Sequence, residues 1–379
     1  MENLWNMKSK NIWIIAGIII ILIIVGIVYV NNLNQKRDVI KIGYIGPLSG
    51  ALVYTGEPVK NGFELANSKY NSYNKNISVI YEDDKCSPVD ALNAARKLIN
   101  IDNVNIIVSG VCSSSTLAIA PLAEENKKIL ISPVSASPDI KNAGDYVFRI
   151  AASSDLLGSK AADIVYDLGY SKIGIIYELN EYPRGWKDVF KTEFIKLGGE
   201  IVDEESFNSG ETDIKTQLIK IKEKNPDVIL MVVLSVPSGI QILKEINELD
   251  IKTPLVGNEL FSYKPVINSY PNTTEGMFVA TYDYDLNSEE MKLFLSEYNS
   301  KYNKEVSEEI YGALGYDVYM LLYDSIKTCD GDNPECIKNY FNNLGETAGV
   351  GGNYTLDENG DAVRNVVLRK IVGGKMEYA

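Results

Sequence analysis

Histidine is absent from all 379 residues. That absence excludes a Ser-His-Asp triad, a Cys-His nucleophile pair and any His-ligated zinc. Cysteine is scarce. Cys86, Cys112, Cys329 and Cys336 are the full set, and none sits in a C-x-x-C pair, which removes a zinc knuckle and leaves no metal site to expect. Basic residues are in deficit, 37 against 51 acidic ones, for a net charge of -14. Nucleic acid and an anionic membrane surface are therefore poor partners. No P-loop occurs, and Gly43-x-x-Gly46 followed by Gly50 does not match G-x-G-x-x-G, so no nucleotide cofactor is expected. Cys112 lies beside serines but has no histidine base to activate it. No catalytic residue and no cofactor are expected, and the chain is not read as an enzyme.

What the chain does have is length and apolar residues, 45% of the total, enough for two domains with sizeable cores. Residues 12–30 carry no charge and are mostly Ile, Leu and Val. That run just spans a hydrocarbon core as a helix. It is longer than the apolar part of a usual secretory signal, and no A-x-A-like site follows it. Lys8 and Lys10 precede it, while Lys36 and Arg37 lie beyond. The expectation is an uncleaved single-pass anchor in the cell membrane, with the rest of the chain extracytoplasmic and 31–38 a polar tether.

From residue 39 the pattern is regular. Residues 39–46 alternate and turn at Gly46-Pro47, which reads as a strand. Val59, Phe63, Ala66 and Tyr70 recur at helical spacing. Strand 77–81 ends in Glu82-Asp83-Asp84. Ser87-Pro88 starts a helix with Ser at the N-cap and Pro at N1. Strand 104–108 runs into Val111-Cys-Ser-Ser-Ser-Thr116 and a further helix. After Arg149 the same rhythm begins again. Strands alternating with helices of this length argue for parallel sheets with helices on both faces, in two similar Rossmann-like lobes. Near the end, Asn359-Gly360 between apolar runs reads as a β-hairpin joining 354–356 to 363–371.

In open parallel sheets, ligands sit beyond the carboxyl ends of the strands. The loops expected there hold hydroxyls (Ser113, Ser114, Ser132, Ser135, Ser137), aromatics (Tyr54, Tyr182, Phe261) and one acid after a strand, Glu259. Hydroxyls and free N–H groups at a helix start suit a carboxylate. A lone acid suits an ammonium, and aromatics suit an apolar tail. Each feature alone also reads as an ordinary cap. Together they describe a zwitterionic amino acid as ligand.

The motifs IGYIGPLSG, EDDKCSP, GVCSSST, ISPVSASP, IYELNEYPRG, VGNE, ALGYDVYMLLYDSI and YTLDENGD follow one another in this order. In that order the chain resembles the type I periplasmic binding proteins of the branched-chain amino acid (Leu/Ile/Val) class, substrate-binding subunits of ABC importers. The resemblance implies two α/β lobes joined by three crossovers, near Ala152, Tyr282 and Val350. Beyond the anchor and tether (1–38), it divides the chain into a first lobe (39–152 and 283–350) and a second lobe (153–282 and 351–379). It implies a Cys86–Cys112 disulfide. Cys329 and Cys336 fall outside the family pattern and are expected to bridge locally.

The resemblance also implies residue roles. Ser113 matches the hydroxyl that holds the ligand carboxylate, with Ser114 beside it. Glu259 matches the acid that holds the ammonium, and Tyr182 an aromatic laid on the ligand by the second lobe. Val134 and Ala136 match a loop whose backbone touches the charged ends. Tyr54 or Thr55, and Tyr316 or else Tyr311, match pocket aromatics. Two departures stand out. Ala136 replaces a common Thr, so Ser135 or Ser137 stands in for it, or the backbone N–H serves alone. Ser235 replaces a pocket aromatic, which leaves that wall smaller and more polar. The function implied is capture of a branched-chain or other small aliphatic amino acid for a membrane permease. The alternative is a membrane-tethered sensor that reads an amide or other small metabolite.

Overall fold

The structure, a computed structural model, describes Ile21, Leu22, Val25 and residues 39–71, 77–306 and 308–378. Apart from Ile21, Leu22 and Val25, which are helical, the expected anchor 12–30 lies outside the described residues. Among the described residues no helix is long and apolar enough to cross a membrane.

The chain opens with β1 (Ile40–Gly46), α1 (Val53–Tyr70), β2 (Ile77–Asp83), α2 (Pro88–Asn100), β3 (Ile106–Ser109), α3 (Ser113–Glu125), β4 (Ile129–Ser132) and β5 (Val147–Ala152). It then builds α4 (Ser154–Asp167), β6 (Lys172–Glu178), α5 (Glu181–Lys196), β7 (Glu200–Phe207), α6 (Lys215–Glu223), β8 (Val228–Val232), α7 (Val236–Glu248), β9 (Leu255–Gly257), two short helices α8 (Lys264–Ser269) and α9 (Pro271–Thr274), and β10 (Phe278–Tyr282). Helices α10 (Glu289–Tyr302), α11 (Glu309–Thr328) and α12 (Pro334–Asn342) follow. The last strands are β11 (Thr355–Leu356), β12 (Asp361–Val363), β13 (Val366–Val372) and β14 (Lys375–Tyr378).

These strands form two sheets with the same plan. The first runs β11-β12-β5-β4-β3-β1-β2 and the second β14-β13-β10-β9-β8-β6-β7. Pairing among β1 to β5, and among β6 to β10, is parallel. Helices cover both faces, so the central strands are apolar throughout rather than alternating. The segments IIVS, ILIS and VILMV are buried at every position. Local signals agree with this plan. Ser87 Oγ accepts the Asp90 N–H ahead of Pro88, and α2 then turns Ala91, Ala94, Ala95, Leu98 and Ile99 inward. In the first lobe α1 and α11 touch backbone to backbone. A Cβ on Gly62 would lie 1.9 Å from the Gly312 carbonyl oxygen, and one on Gly315 would lie 2.1 Å from that of Val59. Only glycine permits that approach.

The chain leaves the first sheet after β5, leaves the second after β10, and crosses a third time between β12 and β13. The third crossover therefore lies at Arg364-Asn365 and not at Val350, and residues 351–364 belong with the first lobe. The Asp357–Gly360 turn does close a hairpin, but it joins β11 to the three-residue β12. β12 pairs with β5, and the apolar run from Val366 goes to the other sheet. The pairing of β12 is anchored by a buried ion pair from far along the chain. Arg149 Nε donates to Asp361 Oδ1 at 2.7 Å and Nη2 to Oδ2 at 2.5 Å.

Backbone and side-chain bonds tie the crossovers together. Arg364 Nε donates to the Ile150 carbonyl at 2.5 Å, and its Nη1 to Gly351 and Gly352 at 2.9 and 3.1 Å. The Asp283 N–H donates to the Asn365 carbonyl at 3.0 Å. Buried Asp317 accepts the Val350 and Gly351 N–H groups at 2.7 and 2.9 Å.

Candidate functional site

The carboxyl ends of β3 and β4 meet in a network of hydroxyls. Ser132 Oγ donates to the Ser109 carbonyl at 2.6 Å and accepts the Ser135 N–H at 3.0 Å. Thr116 Oγ1 lies 2.7 Å from both Ser109 Oγ and Ser135 Oγ. Ser135 also donates to the Val111 carbonyl at 3.0 Å. Ser137 Oγ accepts the Asp139 N–H at 3.4 Å. Ser135 and Ser137 therefore hold the loop, and neither lines the cleft. At position 136 the backbone N–H remains as the donor, since it makes no hydrogen bond among the described residues.

α3 begins at Ser113, directly after Cys112, which bridges to Cys86 with a Cα–Cα distance of 5.6 Å. The bridge fastens the start of this helix to the turn after β2. Ser113 Oγ accepts the Ser137 N–H at 3.1 Å, so its own proton is free to point elsewhere. Ser114, in the same turn, buries a hydroxyl with no partner among the described residues. This corner combines hydroxyls, first-turn N–H groups and the positive end of a helix dipole, and it favours an anion.

Across the cleft, β9 ends at Gly257 and the next two residues turn. Asn258 is fully buried and pinned to Val233, accepting its N–H at 3.1 Å and donating to its carbonyl at 2.9 Å. That fixes Glu259, which is 3% exposed. Glu259 Oε1 accepts hydroxyl protons from Tyr182, on the first turn of α5, and from Tyr311 at 3.1 Å, on α11 of the first lobe. Oε2 has no hydrogen-bond partner among the described residues. Burial raises the Glu259 carboxyl above its ordinary range, and the bonds from Tyr182 and Tyr311 offset part of that. A buried carboxylate oxygen without a donor is costly unless a cation reaches it.

One cavity joins the two corners. The first lobe contributes Thr55, Val111, Ser113, Val134, Ala136 and Tyr311, and the second contributes Tyr182, Leu234, Glu259 and Leu260. Its volume is about 20 Å³, room for a single water, so the lobes stand closed on each other. Donors lie on one side, an acceptor on the other and aliphatic side chains between.

Besides Ser135, the expected residues Ser114, Tyr54, Tyr316 and Ser235 lie outside the cavity lining. Tyr54 is 52% exposed, and its neighbour Thr55 faces the cavity. Tyr316 packs edge-on against Phe294 and Tyr70 beside a separate hollow of about 510 Å³ near the hinge, while Tyr311, five residues earlier, reaches Glu259. Ser235 accepts the Ser238 N–H at 3.2 Å as the cap of α7, and the residue before it, Leu234, forms the wall. Val111, Leu234 and Leu260 are cavity residues that the sequence reading did not single out. Their positions at strand ends, one residue from Cys112, Ser235 and Glu259, are the signal that marks them. The second bridge, Cys329–Cys336, joins the end of α11 to α12. Among the described residues no group of acidic or cysteine side chains is arranged to hold a metal.

The family described as periplasmic binding protein matches residues 39–375. A Leu/Ile/Val-binding protein of Citrobacter freundii is 25% identical over 280 residues, 72% of this chain and 73% of that protein. A leucine-specific-binding protein of Salmonella typhimurium is 26% identical over 289 residues, 74% of this chain and 75% of that one. Among solved structures, a leucine binding protein of Thermotoga maritima superposes with a TM-score of 0.83 at 27% identity, covering 90% of this chain and 98% of that one.

Proposed function

This chain belongs to the periplasmic binding protein family, in the type I class of branched-chain amino acid binding subunits of ABC transporters, and on that premise we propose that it captures a small aliphatic amino acid outside the cytoplasm and delivers it to a membrane permease. The observation that carries the reading is that Glu259, whose buried Oε2 has no partner among the described residues, lines one cavity together with Ser113 at the start of α3.

The mechanism follows from that polarity. The first lobe takes the ligand carboxylate on Ser113 Oγ, the first-turn N–H groups of α3 and the Ala136 N–H. The second lobe then closes and brings Glu259 Oε2 to the ammonium, with Tyr182 laid over the ligand. Val111, Val134, Leu234 and Leu260 enclose the side chain. Closure removes water, so the charge-assisted bonds strengthen. Three or four such bonds at about 1.5–3 kcal/mol each, less the cost of closing, reach about -8 kcal/mol, which is micromolar binding. Residues 12–30 hold the protein at the membrane beside its permease. The named relatives are binding proteins, which supports a reading without catalysis.

Titration of the purified protein with the twenty amino acids by calorimetry tests this. Binding of one or more aliphatic amino acids is expected. If none binds, the proposal falls.

A further inference from the structure

We propose that Gly185 sets how far the two lobes close, and thereby how large a ligand side chain the cleft accepts. Gly185 lies on α5 of the second lobe, one turn after Tyr182. A Cβ there would stand 2.6 Å from Pro138 Cδ, 3.4 Å from Pro138 Cγ and 3.7 Å from Ser137 Oγ. All three neighbours belong to the first lobe. The backbone of Gly185 does not demand glycine, because its φ lies outside the left-handed region. Glycine inside a helix is about 1 kcal/mol worse than alanine. The reason for glycine is therefore the approach of the other lobe.

The surface that Gly185 meets does not yield. Pro138 Cδ is part of a ring bonded to its own backbone nitrogen. The Ser137 N–H is held by Ser113 Oγ at 3.1 Å, and the Ser137 carbonyl accepts from Arg149 Nη1 at 2.7 Å. Arg149 is fully buried and doubly bonded to Asp361. The loop that presents the Ala136 N–H to a carboxylate is thus also the stop against which α5 comes to rest.

Residues three apart on a helix share a face. Tyr182 and Gly185 therefore travel together, and the depth at which Gly185 meets Pro138 fixes the depth at which Tyr182 enters the cavity. A side chain at 185 acts as a wedge. The three atoms nearest its Cβ all belong to the first lobe, so it holds the cleft wider. This rests on the amino-acid-binding reading, since it needs a ligand enclosed between the lobes.

Two measurements on the full-length protein test it. In the first, Gly185→Ala and Gly185→Leu are titrated with L-leucine, and X-ray scattering follows compaction. The Leu variant is expected to bind about tenfold or more weaker, as overpacking costs imply, with the Ala variant between it and wild type. The liganded Leu variant stays less compact than liganded wild type, with an unchanged melting midpoint in the absence of ligand. Wild-type affinity and compaction in the Leu variant overturn the proposal. In the second, Ser137→Cys/Gly185→Cys is oxidised without ligand and the peptides are mapped by mass. The same oxidation is repeated with L-leucine; a 137–185 bridge is expected in at least one of the two conditions, and its failure to form in both overturns the stop. If wild type binds no amino acid, the functional reading falls by itself, and the bridge still decides whether these two surfaces meet.

Discussion

Tyr311 donates its hydroxyl proton to Glu259 Oε1 at 3.1 Å although the two residues belong to different lobes. Tyr182 donates to the same oxygen from its own lobe. Both phenols crowd onto Oε1 and leave Oε2 buried without a partner among the described residues, in a side chain that lines the cavity. Glu259→Gln keeps the shape and removes the charge. Hydrogen bonds to charged groups contribute about 1.5–3 kcal/mol, so amino acid affinity is expected to fall about 10- to 150-fold in calorimetry. The melting midpoint without ligand should hold or rise, because a buried charge lacking a partner on one oxygen is gone. Unchanged affinity would remove Glu259 from the ligand.

Burial raises the Glu259 carboxyl, and that gives affinity a direction with pH. As pH falls through the raised value, Glu259 takes up a proton and no longer holds an ammonium. Affinity is therefore expected to drop on acidification, and ligand binding should expel a proton in that window. Titrations in buffers of different ionisation enthalpy count the proton. No proton release at any pH, with affinity intact down to the ordinary glutamate range, contradicts this.

Asp317 carries a second pH dependence, at the hinge. Burial pushes its carboxyl up to about 6, and Arg364 pulls the other way. The folded protein thus holds this proton more tightly than the unfolded chain does. Between the ordinary aspartate range and pH of about 6, the contribution of Asp317 to stability falls as pH rises. In Asp317→Asn that slope disappears. Urea unfolding at several pH values reads it as the difference between wild type and variant, and parallel curves would refute it.

Arg149 and Asp361 lie 212 positions apart in sequence and are both buried. Removing one partner of such a pair costs about 3–5 kcal/mol because the other charge is stranded. Arg149→Met is expected to lose that much in urea unfolding, and adding Asp361→Leu should restore most of it. A double variant no better than the single one would mean that the pair is not acting as a unit.

The two disulfides differ in reach. Cys86–Cys112 spans 26 positions and Cys329–Cys336 spans 7. By chain entropy the first is worth about 3 kcal/mol and the second about 2. Oxidised Cys86→Ser should melt lower than oxidised Cys329→Ser by differential scanning calorimetry. It should also bind ligand more weakly, since the first bridge fastens the start of α3. Equal midpoints would contradict the entropic account.

The alternation of apolar runs and helical spacing makes the two lobes legible in sequence, because parallel sheets covered on both faces leave little choice. The serine turn and Glu259 are legible too, as both lie at strand ends. What escapes is rotation and distance. Tyr54 and Thr55 differ by one residue on α1, about 100° around a helix, and that step decides which faces the cavity. Tyr311 and Tyr316 are five apart and point in different directions for the same reason. The third crossover escapes because β12 is three residues long and owes its place to Arg149, which no local pattern connects to Asp361.

Three crossings also interleave the chain. The first sheet takes strands from Ile40–Ala152 and again from Thr355–Val363, and the second from Lys172–Tyr282 and again from Val366–Tyr378. No single cut anywhere between Ile40 and Tyr378 separates one intact half from the other. A protease that nicks an exposed loop between β6 and β12 leaves both fragments woven into both halves. Producing either half as an independent unit requires splicing two distant stretches of the gene.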